Sequence, residues 1–327
     1  MPLPAPARRN GNIKVFFNGR IFVGPDWRIM VLSVTLILVC SLLFVFFTNE
    51  VMAARVIVGL AALMSLAVLL LCSLSDPGVH PRQPPPPPDA PPHESLWRER
   101  EYVDQNGDIH QARLEIKWCY SCNIYRPYRG VHCRYCDRCV ARRDHHCPWT
   151  GTCIGAKNYR SYFVLVWVLS IMLFTALCGG IQSFAQRVAR HSKTSAVIKD
   201  GPSAFTSALI DTYCVEFILI LLSFVFGLLA WSLAAYHTYL ISQNLTSGDA
   251  AKDSDENVFT HGSVLANVWA AMTGWRDEEK ACAVARSEVV IEAGGCDDVS
   301  DEPSPVTTTR EASSHATLFD NGDAEHP

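Results

Sequence analysis

Seven of the chain's thirteen cysteines and three of its eleven histidines lie within one short stretch, from position 119 to 153. Two cysteines two residues apart can turn onto one ion, so close cysteine pairs followed by histidine are typical of tetrahedral zinc sites. Two sites of three cysteines and one histidine leave one thiol and one imidazole unassigned. The spare thiol is a candidate nucleophile, although counting does not identify it. The ten residues are Cys119, Cys122, His132, Cys133, Cys136, Cys139, His145, His146, Cys147 and Cys153.

Long apolar windows on both sides of this cluster indicate a membrane protein. The chain is 49% hydrophobic over 327 residues, which is high for a soluble domain. Four windows approach or exceed the ~20 residues that cross a hydrocarbon core, which favours membrane spans over buried helices of a large soluble protein. We therefore predict an all-α membrane protein with four transmembrane helices and a zinc-binding domain between helices 2 and 3. The windows cover residues 30–47, 56–74, 163–181 and 214–241.

Basic residues predict the orientation of these spans. They gather ahead of the first window and between residues 82 and 160, so both regions should face the cytosol, and four spans then place both termini there. Thiols stay reduced in the cytosol, which disfavours the alternative of a disulfide framework. We expect a multi-pass protein of the endomembranes, in the Golgi or endoplasmic reticulum, or of the plasma membrane. A net charge of −4 argues against nucleic-acid binding.

The other segments are typical of linkers and a tail. Prolines at 84–88, 91 and 92 predict an extended spacer, Asn106-Gly107 indicates a turn or hairpin, and the acidic stretch after Thr273 predicts disorder. The expected organisation is a cytosolic N-terminal segment (1–28), helices 1 and 2 (29–75), a cytosolic linker (76–117), the cysteine-rich domain (118–160), helices 3 and 4 with a lumenal loop (161–241), juxtamembrane motifs (242–275) and the acidic tail (276–327).

The run Asp144-His145-His146-Cys147-Pro148-Trp149, within a cysteine-rich loop between membrane spans, resembles the DHHC family of protein S-acyltransferases, the palmitoyltransferases. Three further motifs of that family have similar counterparts, and residues 19–26 are similar to its plant and fungal Ras-acyltransferase branch. The resemblance covers roughly residues 11–275. The counterparts are Asp76, Pro77 and Gly78 for the DPG motif, Thr246 to Asp249 for the TTxE motif, with serine and aspartate replacing threonine and glutamate, and Asn267 for the C-terminal motif.

The resemblance implies which thiol is spare. It assigns the ligands to two structural zinc ions in an interleaved order, and it leaves Cys147 and His145 unbound. It further implies that Cys147 is the nucleophile, that His145 is its base, and that Asp144 orients His145, which is the logic of a catalytic triad. The implied sites are Cys119, Cys122, His132 and Cys139 for one ion, and Cys133, Cys136, His146 and Cys153 for the other.

The implied reaction is protein S-palmitoylation through an acyl-enzyme. Cys147 would take a fatty acyl group from acyl-CoA and pass it to a cysteine of a membrane-associated protein substrate, with the lipid bilayer and an accessory subunit as further expected partners. Alternatives from other classes are a non-catalytic zinc module anchored in the membrane and a RING-type ubiquitin ligase. Candidate acyl-cavity residues are Phe163, Trp167, Met172 and Phe174, and candidate contacts to the CoA phosphates are Arg142, Arg143, Lys157 and Arg160.

Overall fold

The computed structural model describes residues 11–48, 51–87, 95–104, 106–127, 129–195, 203–252 and 257–273. The acidic tail and the prolines at 88, 91 and 92 lie outside the described residues, so the predictions for them stay predictions. Four helices in the described part are long and apolar enough to cross a membrane, which confirms the predicted fold class. They are α1 (Trp27–Phe47), α2 (Met52–Leu74), α3 (Tyr159–Ser195) and α5 (Val215–Ser242), and the shorter helices are α4 (Ala204–Asp211), α6 (Ser247–Ala250) and α7 (Val264–Thr273).

Helix α3 is the central helix of the bundle and packs against both α2 and α5. Gly179 permits the close approach to α2, because a Cβ atom at this position would lie 2.5 Å from the Cβ of Ala54. Small residues commonly allow membrane helices to approach in this way. Large apolar side chains such as Leu63 and Leu228 are exposed on the outer faces of the bundle. This arrangement suits a lipid environment, where apolar side chains can face outward.

Helix α3 extends well past the predicted window, which ended at residue 181. Arg187, Arg190 and Lys193, which follow that window in the sequence, lie on the helix itself. Arg187 donates to the carbonyl oxygen of Phe47 at 3.1 Å and to the carboxylate of Glu216 at 3.3 Å, so it joins the end of α1 to the start of α5. Hydropathy marks the length of helix that fits hydrocarbon, not the residue at which the helix ends.

Short antiparallel strands build the segment between α2 and α3. The predicted turn at Asn106-Gly107 is confirmed, because it joins two paired strands. The strands of this segment are β3 (Val79–His80), β4 (Leu96–Val103), β5 (Ile109–Ile116), β6 (Trp118–Cys119), β7 (Ile124–Tyr125), β8 (Val131–Cys133), β9 (Arg138–Val140), β10 (His145–Cys147) and β11 (Thr152–Ile154), and β1 (Lys14–Phe16) pairs with β2 (Ile21–Val23) before α1. The segment contains three two-stranded hairpins and the three-stranded sheet β3-β9-β8, which an all-α description does not include.

The Asp76-Pro77-Gly78 motif turns the chain from α2 into this segment. Oδ1 of Asp76 accepts hydrogen bonds from the backbone N–H groups of Gly78 and Val79, and Oδ2 lies 3.0 Å from Nζ of Lys157, two residues before α3. Gly78 has a φ of +98°, which favours glycine. The turn directs β3 into a sheet with β9 and β8, so it attaches the cysteine-rich segment to the end of the helix bundle.

Candidate active site and metal centres

The first set of four predicted zinc ligands meets around β8 and β9. His132 and Cys139 are opposite each other in the register of these strands. Nδ1 of His132 lies 3.5 Å from Sγ of Cys119, 3.3 Å from Sγ of Cys122 and 4.0 Å from Sγ of Cys139. Tetrahedral zinc with Zn–S near ~2.3 Å and Zn–N near ~2.0 Å separates such atoms by about 3.5 Å. The donor set therefore fits one zinc ion.

The second set meets around β10 and β11, where His146 is opposite Cys153. Nδ1 of His146 lies 3.7, 3.4 and 3.5 Å from the sulfurs of Cys133, Cys136 and Cys153. Nε2 of His146 donates to Oδ2 of Asp26 at 2.9 Å, a contact that fixes the ring orientation and tautomer suited to a metal ligand. Because Asp26 immediately precedes α1, it also joins this cluster to the membrane helices.

Both clusters could bind metal ions through four protein side chains each, since within each cluster all ligand atoms lie within 4.8 Å of one another. Six of the eight ligands are buried cysteines, and the two histidines are half-buried. Four protein ligands complete a tetrahedral shell and leave no position for water or substrate, which is the form of a structural site.

Strand geometry separates Cys147 from the second cluster. Side chains alternate between the two faces of a strand, so in β10 the side chain of His146 is directed to one face and those of His145 and Cys147 to the other. His146 belongs to the metal cluster, and neither of its neighbours does. Cys147 is buried and ends the strand, just before a 3₁₀ turn at Pro148–Thr150. The structure therefore places the thiol beside the metal cluster and outside its ligand set.

His145 connects Cys147 to a buried carboxylate. Nδ1 of His145 donates to Oδ2 of Asp144 at 2.7 Å. Asp144 also accepts two hydrogen bonds from Ser247, one from its backbone N–H to Oδ1 and one from its hydroxyl to Oδ2, both at 2.7 Å. Asp144 thus has fixed partners on both oxygens, which holds the His145 ring in one orientation.

The electrostatics of this group favour a charged thiolate. Burial raises the pKa of Cys147, but hydrogen bonding to His145 and its positive charge outweigh burial and leave the pKa below its ordinary value. Burial lowers the pKa of His145, but Asp144 and Cys147 outweigh this effect and raise it to about 9. The pKa of Asp144 is lowered despite burial, because His145 and Ser247 stabilise the carboxylate. The arrangement can therefore supply a thiolate nucleophile paired with an imidazolium.

The segment that follows α5 supplies Ser247. Thr246 caps α6: its Oγ1 accepts from the backbone N–H of Asp249, while its own N–H donates to Oδ2 of Asp249. Arg129 of the cysteine-rich segment donates from Nε and Nη2 to the same oxygen at 3.0 and 2.6 Å. Serine and aspartate in place of threonine and glutamate thus retain a capped turn and a buried ion pair. Sequence reasoning did not foresee either contact.

Asn267 joins the C-terminal segment to the end of α5. Its Oδ1 accepts from the backbone N–H of His261, and its Nδ2 donates to the carbonyl oxygen of Ser242 and to Oγ1 of Thr260. The side chain is buried. Asn267 therefore holds α7 and the turn before it against the end of α5.

The structure corrects the prediction for Arg142. This side chain is buried, and its guanidinium donates to the carbonyl oxygen of Ala271 at 3.1 Å and to Oδ1 of Asn244 at 2.7 Å, so it is not available to phosphates. Lys157 pairs with Asp76, as described above. Arg143 is half-buried and interacts with the cysteine sulfurs of the second cluster, while Arg160 is exposed at the start of α3.

Two of the four predicted cavity residues, Phe163 and Trp167, pack against the buried cluster that contains Cys147 and residues of α3 and α5. Met172 lies in a different buried cluster, formed with α1 and α2. Phe174 is 54% exposed and belongs to neither cluster, although its ring meets Trp231 edge-on, and Trp231 in turn meets Trp167.

Three residues on the helices complete the surroundings of His145, and sequence reasoning missed them. His237 on α5 has a ring nitrogen within 4.8 Å of the Asp144 carboxylate and a His145 nitrogen, and the Tyr159 hydroxyl lies 3.0 Å from its Nδ1. The ring of Tyr162 meets His145 edge-on with centroids 5.1 Å apart. A histidine inside an apolar span is costly and therefore a functional candidate, which was the available signal.

The cluster of Asp144, His145 and His237 contains a direct hydrogen bond between its first two members. The 2.7 Å separation of Nδ1 in His145 and Oδ2 in Asp144 is a hydrogen-bond length. Nitrogen and oxygen ligands of one tetrahedral zinc ion would be about 3.4 Å apart. The geometry therefore distinguishes this cluster from the two metal centres.

Comparison with known proteins agrees with this site. The family model described as DHHC palmitoyltransferase matches residues 113–254, which include both metal clusters and Cys147. Human palmitoyltransferase ZDHHC14 is 30% identical over 296 residues, covering 81% of this chain and 56% of the relative, and the mouse protein of that name is 31% identical over the same shares. The chain thus spans little more than half the length of these relatives.

Human palmitoyltransferase ZDHHC9 is 32% identical over 287 residues, which cover 79% of this chain and 72% of that relative. The match is long enough to include the helices as well as the cysteine-rich segment. Together with the family model and the arrangement of Asp144, His145, His146 and Cys147, it shows that this chain belongs to the DHHC palmitoyltransferase family.

Proposed function

We propose that the chain is an integral-membrane protein S-palmitoyltransferase, which transfers a fatty acyl group from acyl-CoA to cysteine thiols of protein substrates. The observation that carries the proposal is the position of Cys147: it lies beside the second metal cluster without belonging to it, interacts with His145, and packs against apolar side chains of the membrane helices. A thiol with a lowered pKa among apolar side chains of the membrane helices suits thioester chemistry.

In the first step, the sulfur of Cys147 attacks the thioester carbon of acyl-CoA. Where the thiol is protonated, His145 accepts its proton on Nε2, while Nδ1 remains bonded to Asp144. The tetrahedral intermediate collapses with loss of CoA thiolate, which takes the proton from His145 and leaves as CoA–SH. The product is an acyl thioester on Cys147, and Asp144 stabilises the imidazolium in the interval.

In the second step, the thiol of a protein cysteine attacks the thioester on Cys147. His145 accepts the incoming proton, the acyl group moves to the substrate sulfur, and the proton returns to Cys147. One thioester is exchanged for another in each step, so the cycle is nearly isoenergetic. The protein's contribution is then to activate the thiol and to orient the reacting groups.

The membrane helices provide a place for the acyl chain. Keeping each methylene out of water stabilises the complex by about 0.8 kcal/mol. Phe163 and Trp167 on α3 pack against the cluster that contains Cys147, and the ring of Trp167 meets that of Trp231 on α5, which supports a binding place for the acyl chain between these two helices. Arg160 is exposed at the start of α3, which supports a contact to the CoA phosphates, and Lys157 and Arg143 remain further candidates for it.

The two metal clusters supply structure in this proposal. Zinc fits both donor sets, and when bound it would fix β8 to β11 and thereby the strand that carries Cys147. The cysteine-rich segment would face the cytosol, where acyl-CoA and reduced thiols are found, in the Golgi, the endoplasmic reticulum or the plasma membrane. The expected partners are membrane-associated proteins with accessible cysteines, with an accessory subunit as a further prediction.

Incubation of the purified protein with labelled palmitoyl-CoA tests the proposal. We expect a hydroxylamine-labile adduct that disappears in Cys147→Ser while zinc content stays near that of wild type. Cys178→Ser is the matched control, because Cys178 is exposed on α3 and lies outside both metal clusters. An adduct that persists in Cys147→Ser, or a wild-type protein that forms none, would contradict the proposal.

A further inference from the structure

A histidine and two tyrosines from the membrane helices enclose one side of the Asp144–His145 pair. His237 on α5, and Tyr159 and Tyr162 in the first turn of α3, are all buried. The Tyr162 ring meets His145 edge-on at 5.1 Å and His237 at 5.0 Å, and the rings of His145 and His237 have centroids 6.0 Å apart. Among the described residues, the hydroxyl of Tyr159 is hydrogen-bonded to His237, and the hydroxyl of Tyr162 is not.

Hydrophobic packing alone does not explain the buried imidazole of His237 on α5. Burying a polar ring in an apolar span is unfavourable unless both nitrogens have polar surroundings. Nδ1 of His237 is satisfied by Tyr159 at 3.0 Å. A ring nitrogen of His237 also lies within 4.8 Å of a carboxylate oxygen of Asp144 and a ring nitrogen of His145. Because Nδ1 is bonded to Tyr159, we assign the interaction with the Asp144–His145 pair to Nε2. That separation is within reach of a small ring rotation or one bridging water.

The Asp144–His145 pair is enclosed on one side only. His145 is held by its hydrogen bond to Asp144, and its side chain is 31% exposed, so the pair has one open side. A terminal ring torsion of histidine has a broad energy minimum. A neighbour with a fixed orientation on the closed side restricts that torsion, and the hydrogen bond from Tyr159 gives His237 such an orientation.

We propose that His237 is a positioning residue for the acyl transfer: anchored by Tyr159, its ring and its Nε2 edge keep the Asp144–His145 pair aligned with Cys147. The inference rests on the proposed function. It gives a specific task to a polar residue of α5 that lies 92 positions from His145 and outside the family's cysteine-rich motif.

Three substitutions of His237 separate this role from simple packing. Glutamine places its terminal amide near the position of Nε2, asparagine places it near Nδ1, and phenylalanine keeps a ring without either nitrogen. The measurement is single-turnover acylation of Cys147 by labelled palmitoyl-CoA over a range of concentrations, with zinc content and Tm recorded for each variant. Tyr236→Phe is the matched control for Tyr159→Phe, because Tyr236 is the half-exposed neighbour of His237.

We expect His237→Phe to lower the maximal acylation rate about tenfold, equivalent to about 1.4 kcal/mol, with the half-saturating palmitoyl-CoA concentration, zinc content and Tm unchanged. His237→Gln should recover most of the rate, and His237→Asn should not. Tyr159→Phe should slow acylation, whereas Tyr236→Phe should not.

A wild-type rate in His237→Phe would overturn the inference, and so would recovery by asparagine equal to that by glutamine. A rate loss accompanied by loss of zinc or a lower Tm in all three variants would also overturn it, since the role would then be structural. Each of these outcomes presupposes a wild-type protein that acylates Cys147. Failure of the wild type to do so refutes the proposed function instead, so the two failures are distinguishable.

Discussion

The buried ion pair between Arg129 and Asp249 holds the capped turn that contains Ser247, so the position of Ser247 depends on the charge of Asp249. Arg129 donates two hydrogen bonds to Oδ2 of Asp249 at 3.0 and 2.6 Å, and the side chains are only 1% and 8% exposed. Asp249→Asn keeps the size and an oxygen for the cap, but it leaves the guanidinium buried without this carboxylate. Breaking a buried pair costs about 3–5 kcal/mol, against about 0–1 kcal/mol for a surface pair.

We expect Asp249→Asn to lower the Tm of the purified protein and to slow acylation of Cys147. The rate should fall because Ser247 follows the cap residue directly and loses its fixed place against Asp144. The assays are thermal unfolding in detergent and single-turnover transfer from labelled palmitoyl-CoA, with zinc content as a check on the metal centres.

Lys252→Ala is the matched control for this prediction. Lys252 is the other cation near Asp249, at 3.7 Å, but it is 74% exposed, so its loss should change stability by no more than about 1 kcal/mol. Replacing both members of the buried pair, as in Arg129→Met with Asp249→Leu, should recover part of the Tm because no unpaired charge remains. A wild-type Tm and rate in Asp249→Asn, or an equal loss in Lys252→Ala, would refute the reasoning.

Three further predictions concern the site. Ser247→Ala removes the hydroxyl donor to Asp144 and should slow acylation roughly tenfold to a hundredfold with zinc content unchanged, since one hydrogen bond to a charged group contributes about 1.5–3 kcal/mol; a single-turnover assay measures this, and an unchanged rate would contradict it. Cys133→Ser should lose zinc and acylation together, as measured by metal analysis and adduct formation, whereas retention of both would remove Cys133 from the ligand set. Asp26→Asn should weaken zinc binding about tenfold to a hundredfold in a chelator competition, because the partner of the His146 ring is altered, and wild-type affinity would show that this contact is dispensable.

Much of the architecture could be predicted from the sequence, because periodic and compositional signals carry it. Four apolar windows correspond to four helices, and Asn106-Gly107 corresponds to a hairpin turn. The two sets of four ligands, taken from the family resemblance, are brought together within 4.8 Å in the structure. Each of these features depends on residues near one another in the chain or on a spacing that recurs in related sequences.

The contacts that orient the site could not be predicted, because they join distant residues. Ser247 reaches Asp144 across 103 positions, and Asp26 reaches His146 across 120. Neither pair leaves a periodic pattern in the sequence. The prediction for Arg142 was wrong for the same reason. Its charge suggested a phosphate contact, but the sequence does not show that the side chain is directed to Asn244, which follows it by 102 positions.

The most direct test is to locate the acyl group by tandem mass spectrometry after one turnover of wild-type protein with isotopically labelled palmitoyl-CoA, together with a zinc count on the same sample. The account predicts two zinc ions per chain and a single palmitoyl thioester on the peptide that contains Cys147. A palmitoyl group on another cysteine, or a fully zinc-loaded protein with no acyl group on Cys147, would contradict it.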